Sequence, residues 1–241
     1  MKKFIKKIFN IFGLNLEKNI SIREKIQNHF NDIYKSKMKK NPIIFDIGAN
    51  CGQSIDRFKK IFDNPTIHSF EPIKFEYEKI KEKYKNDSNI ILNNIAIGDK
   101  EEKKDFYITA KTGNSSFYKL KPNTDWLKKR SSKYNTTVEG FVKETCEIEI
   151  ITLDNYCEKN NINEIDFLKI DTQGYEDLVL SGCKNIFERN VVAAVEVELM
   201  FDNVYEKHLT FHDIEKYLLP NKFRFCAINN INHSMFQGSV F

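Results

Sequence analysis

Acidic residues stand at the ends of three short apolar runs, where they could take part in chemistry. Asp171 follows the run FLKI (Phe167–Ile170), Glu71 follows TIHSF (Thr66–Phe70), and Asp46 follows IIF. In an open sheet of parallel strands, ligands bind at the carboxyl ends of the strands. A carboxylate at that edge can accept hydrogen bonds from a ligand hydroxyl or take a proton from it. The sequence therefore predicts a ligand site built on acids at one edge of a sheet.

A glycine-rich turn, FDIGANCG, joins the first apolar run to a helical pattern. The turn carries four residues suited to holding a ligand, namely Asp46, Gly48, Asn50 and Gly52. Gly48 allows a sharp turn, and Gly52 lets the amino end of the next helix approach a ligand closely. Glu71 lies about twenty residues further on, where nucleotide-binding α/β folds place an acid that accepts hydrogen bonds from ribose hydroxyls. The spacing is not GxGxxG, so a dinucleotide site is disfavoured.

The elements that must position these residues alternate along the chain. Apolar runs predict strands and helical periodicity predicts the helices between them, at residues 43–45, 54–62, 66–70, 74–84, 89–97, 167–170, 190–199 and 211–219. This alternation predicts an α/β fold with a mostly parallel sheet and helices on both faces. Residues 103–150 interrupt it as a polar, lysine-rich excursion, with short strands predicted at 106–108 and 148–151. The runs FRFCAIN and HSMFQGSVF predict an antiparallel strand pair at the carboxyl end.

Composition narrows the class of protein. With 241 residues and 41% hydrophobic content, the chain can form one domain at residues 41–241, preceded by a helical segment at residues 1–40. The formal charge of +4 is spread over many Lys and Glu residues and does not indicate nucleic acid. Five scattered cysteines without a CxxC pair disfavour a zinc site or a disulfide framework and fit a reducing cytoplasm. The sequence has no apolar run approaching the roughly 20 residues that cross a membrane.

The first sixteen residues have the pattern of a short basic amphipathic helix. Apolar residues recur at helical spacing and lysines fall on the other side, at Lys2, Lys3, Lys6 and Lys7. One interpretation is a helix packed on the main domain. The other is an interfacial helix resting on anionic lipid, which would place a cytoplasmic protein at the inner face of the membrane.

The ordered set of motifs resembles the FkbM-type methyltransferases, which use S-adenosylmethionine. The resemblance covers residues 42–199 and rests on FDIGANCG, FEP, NNIAIGD, NSSF, ITLDNY, KIDTQGYEDLVLSG and VEVE. The sixth motif usually carries Val-Glu where this chain has Thr172 and Gln173, so a carboxylate is missing at position 173. The resemblance implies a Rossmann-like methyltransferase fold with a seven-stranded sheet. It also implies O-methylation of a sugar, a glycan or a related small-molecule hydroxyl.

The resemblance also implies roles for the candidate residues. Glu71 would bind the ribose, Ala96 would lie beside the adenine, and Asp46 with the turn from Gly48 to Gly52 would border the methionine portion. Asp171 would lie beside the reacting methyl group as the general base, because a sugar hydroxyl is a weak nucleophile.

Several of these acids have more than one interpretation. Asp171 could instead cap the helix that follows it, or orient the loop between them. Glu196, in the next strand, could act with Asp171 on substrate hydroxyls or bind a divalent cation, and the sequence leaves the metal open. Lys169 is predicted to be buried and to need an acidic partner. His208 and His212 share a helical face and are either substrate-binding bases or part of a solvated surface.

Two other classes of protein compete with a glycan methyltransferase. A nicotinamide oxidoreductase would use a Tyr-Lys pair, and Tyr77 and Lys81 have that spacing, but they fall on a helix remote from the expected site. An RNA methyltransferase could use the lysines and Trp126 of residues 119–133 as a basic, aromatic surface. Such a charge run is more typical of a solvated loop, so a nucleic-acid partner is not expected.

Overall fold

A computed structural model describes residues 31–200, 203–207, 209–226 and 228. The predicted helix at residues 1–16, His208 and the last predicted strand lie outside the described residues. Residues 31–37 are helical, as predicted, whereas residues 223–226 carry no strand structure. The division into a segment 1–40 and a domain 41–241 stays a prediction. No helix of the described residues is long and apolar enough to cross a membrane.

The described chain alternates strands and helices through its first half and again through its second. Its strands are β1 (Ile43–Ile47), β2 (Thr66–Phe70), β3 (Ile90–Asn93), β4 (Ala96–Ile97), β5 (Glu102–Thr109), β6 (Val142–Ile151), β7 (Phe167–Ile170) and β8 (Val195–Val197). Its α-helices are α1 (Gln53–Ile61), α2 (Lys74–Tyr84), α3 (Asp125–Lys133), α4 (Leu153–Lys159), α5 (Glu176–Ser181), α6 (Lys184–Glu188) and α7 (Phe211–Leu218). Short 3-10 helices lie at Thr112–Asn114 and Leu219–Asn221. The predicted alternation is therefore confirmed.

The central sheet has five parallel strands in the order β3-β2-β1-β7-β8. The chain moves outward from β1 to β3 on one side, and then returns to place β7 on the other side of β1. In such a sheet the strand order reverses between β1 and β7, and a crevice opens at their carboxyl ends. Gly48 follows β1 and Asp171 follows β7, so both predicted ligand-site segments meet at this crevice.

Both faces of the central sheet are buried. Ile44 and Phe167 point to the face covered by α1, α2 and the helical segment at residues 31–37, where Phe58 packs against Phe167. Phe45 and Leu168 point to the opposite face and belong to a larger core cluster that includes residues of α4, α5 and the second sheet. Burial on both faces explains why these strands read as continuous apolar runs.

A second sheet of three strands, β4-β6-β5, is built largely from the polar excursion. The long β5 and β6 strands pair antiparallel, and β4 pairs parallel with the end of β6. The expectation of one seven-stranded sheet therefore differs from the eight strands in two sheets. The predicted strand at residues 89–97 breaks after Asn93, because Asn94 Nδ2 donates to the carbonyl oxygens of Glu71 and Pro72 and turns the chain away.

Gly48 occupies the tightest point of the crevice. Its φ is +84°, and a Cβ at this position would lie 1.9 Å from the carbonyl oxygen of Asp171. The amides of Gly48 and Ala49 both donate to the carbonyl oxygen of Phe70, which fixes the turn against β2. The ends of β1, β2 and β7 can come together in this way only if position 48 has no side chain.

We expect Gly48→Ala to destabilise the fold strongly. The left-handed backbone alone should cost about 1–2 kcal/mol, and the contact with Asp171 should add to it. The matched control is Gly113→Ala, whose new Cβ would lie no closer than 3.6 Å to any neighbouring atom. Urea unfolding should show a large drop in the free energy of unfolding for the first variant and little change for the second. Equal unfolding midpoints for the two variants would contradict this assignment.

Candidate active site

A buried lysine connects the two strand ends at the crevice. Lys169 Nζ lies 3.1 Å from Asp46 Oδ1 and 3.4 Å from Asp171 Oδ2, and it also donates to the carbonyl oxygen of Gly48 at 3.3 Å. Burial disfavours the charged ammonium, but the carboxylates of Asp46 and Asp171 outweigh it and raise the pKa of Lys169 above its usual value. The prediction that Lys169 is buried and paired with an acid is confirmed.

Asp46 is fully buried beneath the glycine turn. Burial raises the pKa of its carboxyl, although Lys169 acts in the opposite direction. Its Oδ2 has no hydrogen-bond partner among the described residues. An acceptor atom left open in this way is costly unless a ligand or water donates to it. Asp46 therefore presents a free acceptor next to Gly48.

Asp171 forms a hydrogen-bonded pair with Glu198, a residue that the candidate set did not include. Burial opposes the charge on Asp171, but Lys169 and hydrogen bonds with Glu198 and Gln173 hold the pKa of Asp171 below its usual value. Burial and the negative charge of Asp171 raise the pKa of Glu198 well above its usual value. These opposite shifts make Asp171 the more acidic of the two carboxyl groups, and Lys169 and the amide of Gln173 both lie against it.

The loop after Asp171 is fixed by a third acid, Glu176. Its buried carboxylate accepts hydrogen bonds from the amides of Thr172 at 2.8 Å and Gly174 at 2.9 Å. Burial raises the pKa of Glu176 to about 7. Because α5 has no side-chain cap, the alternative role of Asp171 as a helix cap is wrong.

Glu71 ties the glycine turn to the end of β2. Its Oε2 accepts from the amide of Asn50 at 2.7 Å, and its Oε1 accepts from the amide of Ile73 at 2.8 Å. Burial raises the pKa of this carboxyl to about 8. Each oxygen retains a lone pair beyond the one used by the backbone, so Glu71 can still accept a hydrogen bond from a ligand hydroxyl.

The polar excursion contacts both halves of this edge. Asn50, whose φ is +48°, donates from Nδ2 to Thr112 Oγ1 at 3.0 Å. Asn114 donates from Nδ2 to Gln173 Oε1 at 3.5 Å, and Ser116 Oγ donates to the backbone oxygen of Gln173. The excursion therefore reaches the glycine turn with one end of its 3-10 helix and the loop after Asp171 with the other.

The remaining predicted residues lie further from this edge. Glu196 accepts a two-point hydrogen bond from Arg57, with its shorter contact at 2.7 Å, and another from the hydroxyl of Tyr34. Ala96 lies in the second sheet and is buried. His212 is exposed on α7 and faces Glu215 at 3.2 Å. The assigned functional roles of Glu196 and Ala96 stay predictions.

Glu198 could have been found from the strand pairing. Lys169 pairs with Glu196 across the sheet, so two residues further along each strand Asp171 comes beside Glu198. The amide of Glu198 donates to the carbonyl oxygen of Ile170, so the hydrogen-bond ladder between the two strands continues one residue past the end of β8. The VEVE motif contains both glutamates, but the sequence alone gives no register between β7 and β8.

The fold and the site define a class of nucleotide-cofactor enzyme. A doubly wound parallel sheet, a glycine turn at its reversal point and an acid at the end of the second strand are the features that such enzymes share. Residues 46–225 match the family described as "Methyltransferase FkbM domain". The chain belongs to this family and is an S-adenosylmethionine-dependent methyltransferase.

Comparison with individual proteins gives two further similarities. The chain is 26% identical over 184 residues to 2-O-methyltransferase NoeI of Sinorhizobium fredii, covering 76% of this chain and 73% of that protein. The solved structure of precorrin-6y C5,15-methyltransferase from Geobacter metallireducens GS-15 aligns with a TM-score of 0.42 and 8% identity. That alignment covers 86% of this chain and 76% of the other.

The residues at the edge fit the cofactor that the family implies. Asp46 is buried directly beneath the glycine turn that would border the methionine portion, and its Oδ2 has no hydrogen-bond partner among the described residues. Glu71 has acceptor capacity suited to ribose hydroxyls, and Gly48 allows close approach. The described residues contain no group of three or more His, Cys, Asp or Glu that could hold a metal ion.

We expect Glu71 to make stability fall as pH rises. Its pKa is about 8 in the folded protein against a usual 4.5, so the folded chain binds more protons than the unfolded chain between these values. Its contribution to stability is therefore complete below the lower value and declines as pH rises through the higher one. This decline is at most about 1.4 kcal/mol per pH unit, and Glu71→Gln should remove it.

The measurement is chemical unfolding of wild type and Glu71→Gln at several pH values from about 4 to about 9, a range that brackets the shift. The free energy of unfolding of the variant, relative to wild type, should increase with pH across this range. The exposed residue Glu82 supplies the control, Glu82→Gln, whose difference from wild type should stay flat. Parallel curves for all three proteins would show that Glu71 keeps an ordinary pKa.

Proposed function

We propose that this enzyme transfers a methyl group to a hydroxyl oxygen of a sugar or glycan, with Asp171 as the general base. The observation that carries the proposal is the Asp171–Glu198 pair at the reversal point of the sheet, beside Gly48. Lys169 lies 3.4 Å from Asp171 and favours the ionised form of this carboxyl, which can accept the hydroxyl proton.

The cofactor, when bound, supplies a methyl group on a cationic sulfur. The chain's own task is to hold the acceptor hydroxyl in line and to accept its proton. A sugar hydroxyl becomes acidic only as its oxygen gains the methyl group, so a carboxylate with a low pKa such as Asp171 can still take the proton at that point. Lys169 keeps this carboxylate ionised, and Glu198 keeps it oriented.

A small cavity of about 10 Å³ lies beside the pair. Its lining combines polar groups with apolar side chains, namely Glu176, Glu198, Tyr205, Lys207, Leu199, Met200 and Leu209. A cavity of this size has room for one small polar group such as a hydroxyl, and a sugar ring would have to lie outside it. Lys207 is itself paired with Asp177 and lies 3.3 Å from the hydroxyl of Tyr118, so its charge is already compensated. The similarity to a 2-O-methyltransferase also favours transfer to oxygen.

The test of this proposal is a methyl-transfer assay with S-adenosylmethionine carrying an isotopically labelled methyl group. Purified full-length protein is incubated with a panel of free, nucleotide-linked and lipid-linked saccharides. Mass spectrometry should find the labelled methyl group as an ether on a sugar oxygen. Labelling confined to a protein, an RNA or a nitrogen atom would overturn the proposal. A parallel calorimetric measurement of S-adenosylhomocysteine binding checks that the purified protein has a working cofactor site.

We expect Asp171→Asn to reduce turnover by roughly 10²–10⁴-fold, the usual contribution of a general base. Affinity for S-adenosylhomocysteine should change little, because Asp46, Gly48 and Glu71 remain. Glu196→Gln is the comparison, since Glu196 bonds to Arg57 and Tyr34 instead of facing the cavity. That variant should lose stability before it loses turnover per folded molecule. A larger loss of turnover in Glu196→Gln than in Asp171→Asn would assign the base to Glu196.

A further inference from the structure

Gln173 stands at the centre of the acid cluster and uses its whole side-chain amide. Its Nε2 donates to Asp171 Oδ1 at 3.0 Å and to Glu198 Oε2. Its Oε1 accepts from Nδ2 of Asn114 at 3.5 Å and lies 3.1 Å from the hydroxyl of Tyr205, whose one proton also faces the carbonyl oxygen of Asn114 at 3.0 Å. Both donor hydrogens of the amide therefore have carboxyl partners.

This orientation of the amide gives both carboxyl groups a donor. The opposite orientation would set the amide oxygen against the carboxyl oxygens of Asp171 and Glu198. The backbone supports the same placement, because Gln173 has a φ of +58° and its carbonyl oxygen accepts from Ser116 Oγ at 2.7 Å. A non-glycine residue in this region is held by its surroundings, as often occurs at functional sites.

The amide occupies the position between two carboxyl groups that a bound cation commonly takes. Two carboxyl groups close together repel when both are ionised, and they are held together by a shared proton, by a donor or by a metal ion. Here the two N–H groups of Gln173 do this, and Lys169 also lies 3.4 Å from Asp171. A glutamate at position 173 would have no donor to offer and would place a third carboxylate in the same space.

We propose that Gln173 is the positioning residue that holds the carboxyl groups of Asp171 and Glu198 together, and that its amide takes the place of a divalent cation at this edge. The proposal rests on the proposed function for its catalytic meaning, but its geometry stands without it. Its consequence is specific: Gln173→Glu should convert the pair into a three-carboxylate site for a hard divalent cation such as Mn²⁺.

The groups that face the pair set the direction of the pH effect. Lys169 and Asp46 face it from the sheet, Glu176 from the start of α5, and Tyr205 from the segment after β8. Arg130, on α3, acts on Tyr205 from a greater distance. A negative charge added at position 173 is a like charge for Asp171 and Glu198 and favours their protonated forms. The acidic limb of the turnover–pH profile should therefore move to higher pH in Gln173→Glu.

The decisive experiment measures Mn²⁺ binding by electron paramagnetic resonance, using the full chain at constant ionic strength. Gln173→Glu should bind one Mn²⁺ roughly tenfold or more tightly than wild type, because one added carboxylate ligand changes cation affinity on that order. Asn163→Asp is the matched control. Asn163 is exposed and remote, and its Oδ1 already accepts from Arg189, so this variant adds the same charge without adding a site.

The proposal would be overturned if Gln173→Glu bound Mn²⁺ no more tightly than wild type and Asn163→Asp do, and if its turnover–pH profile did not move. If Gln173→Glu fails to fold, Gln173→Met supplies the second arm. It keeps the length of the side chain and lacks both donors, so it should bind no Mn²⁺ and should still shift the acidic limb upward. An unshifted limb in that variant would equally overturn the proposal. The Mn²⁺ measurement reads the carboxylate geometry even if no saccharide proves to be a substrate.

Discussion

The site depends on one buried ammonium group. Lys169 is 8% exposed at its side chain, and it lies within 3.4 Å of carboxylates that follow or end two neighbouring strands, Asp46 and Asp171. A lysine buried without partners would cost several kcal/mol or lose its proton. The charge therefore obliges the ends of β1 and β7 to stay together. The same charge keeps Asp171 ionised at the point where the chain reverses its order in the sheet.

The ion pairs of Lys169, which hold the ends of β1 and β7 together, also restrict the space at position 48. Once the strand ends are this close, position 48 has no room for a side chain, and the turn must pass through a left-handed backbone. The turn is then bound to β2 through the carbonyl oxygen of Phe70 and through Glu71. The cofactor side and the acceptor side are consequently parts of one rigid edge. Precise positioning of this kind is what an in-line transfer requires of an enzyme.

Sequence patterns identified the parts of this edge that are local, and missed those that depend on pairing. The strand Phe167–Ile170 and the turn around Gly48 follow from apolar runs and glycine spacing. Residues 96–97 pair in the second sheet because Asn94 contacts Glu71 and Pro72 and turns the chain. No local sequence pattern predicts those contacts. Glu198 was missed for a similar reason, because choosing between it and Glu196 requires the register of β8 against β7.

The charge state of the edge also bears on the acceptor. Asp171 is held ionised, whereas burial raises the pKa of Glu198 and of Glu176, so the three acids do not all carry charge near neutral pH. An anionic group brought against Asp171 would meet repulsion, and Lys207 cannot offset it while paired with Asp177. With Asp171 as the proposed base, a neutral hydroxyl can donate its proton to this carboxylate without such repulsion. The proposed function therefore requires an uncharged alcohol at the reacting end of the acceptor, whatever charge the rest of that molecule carries.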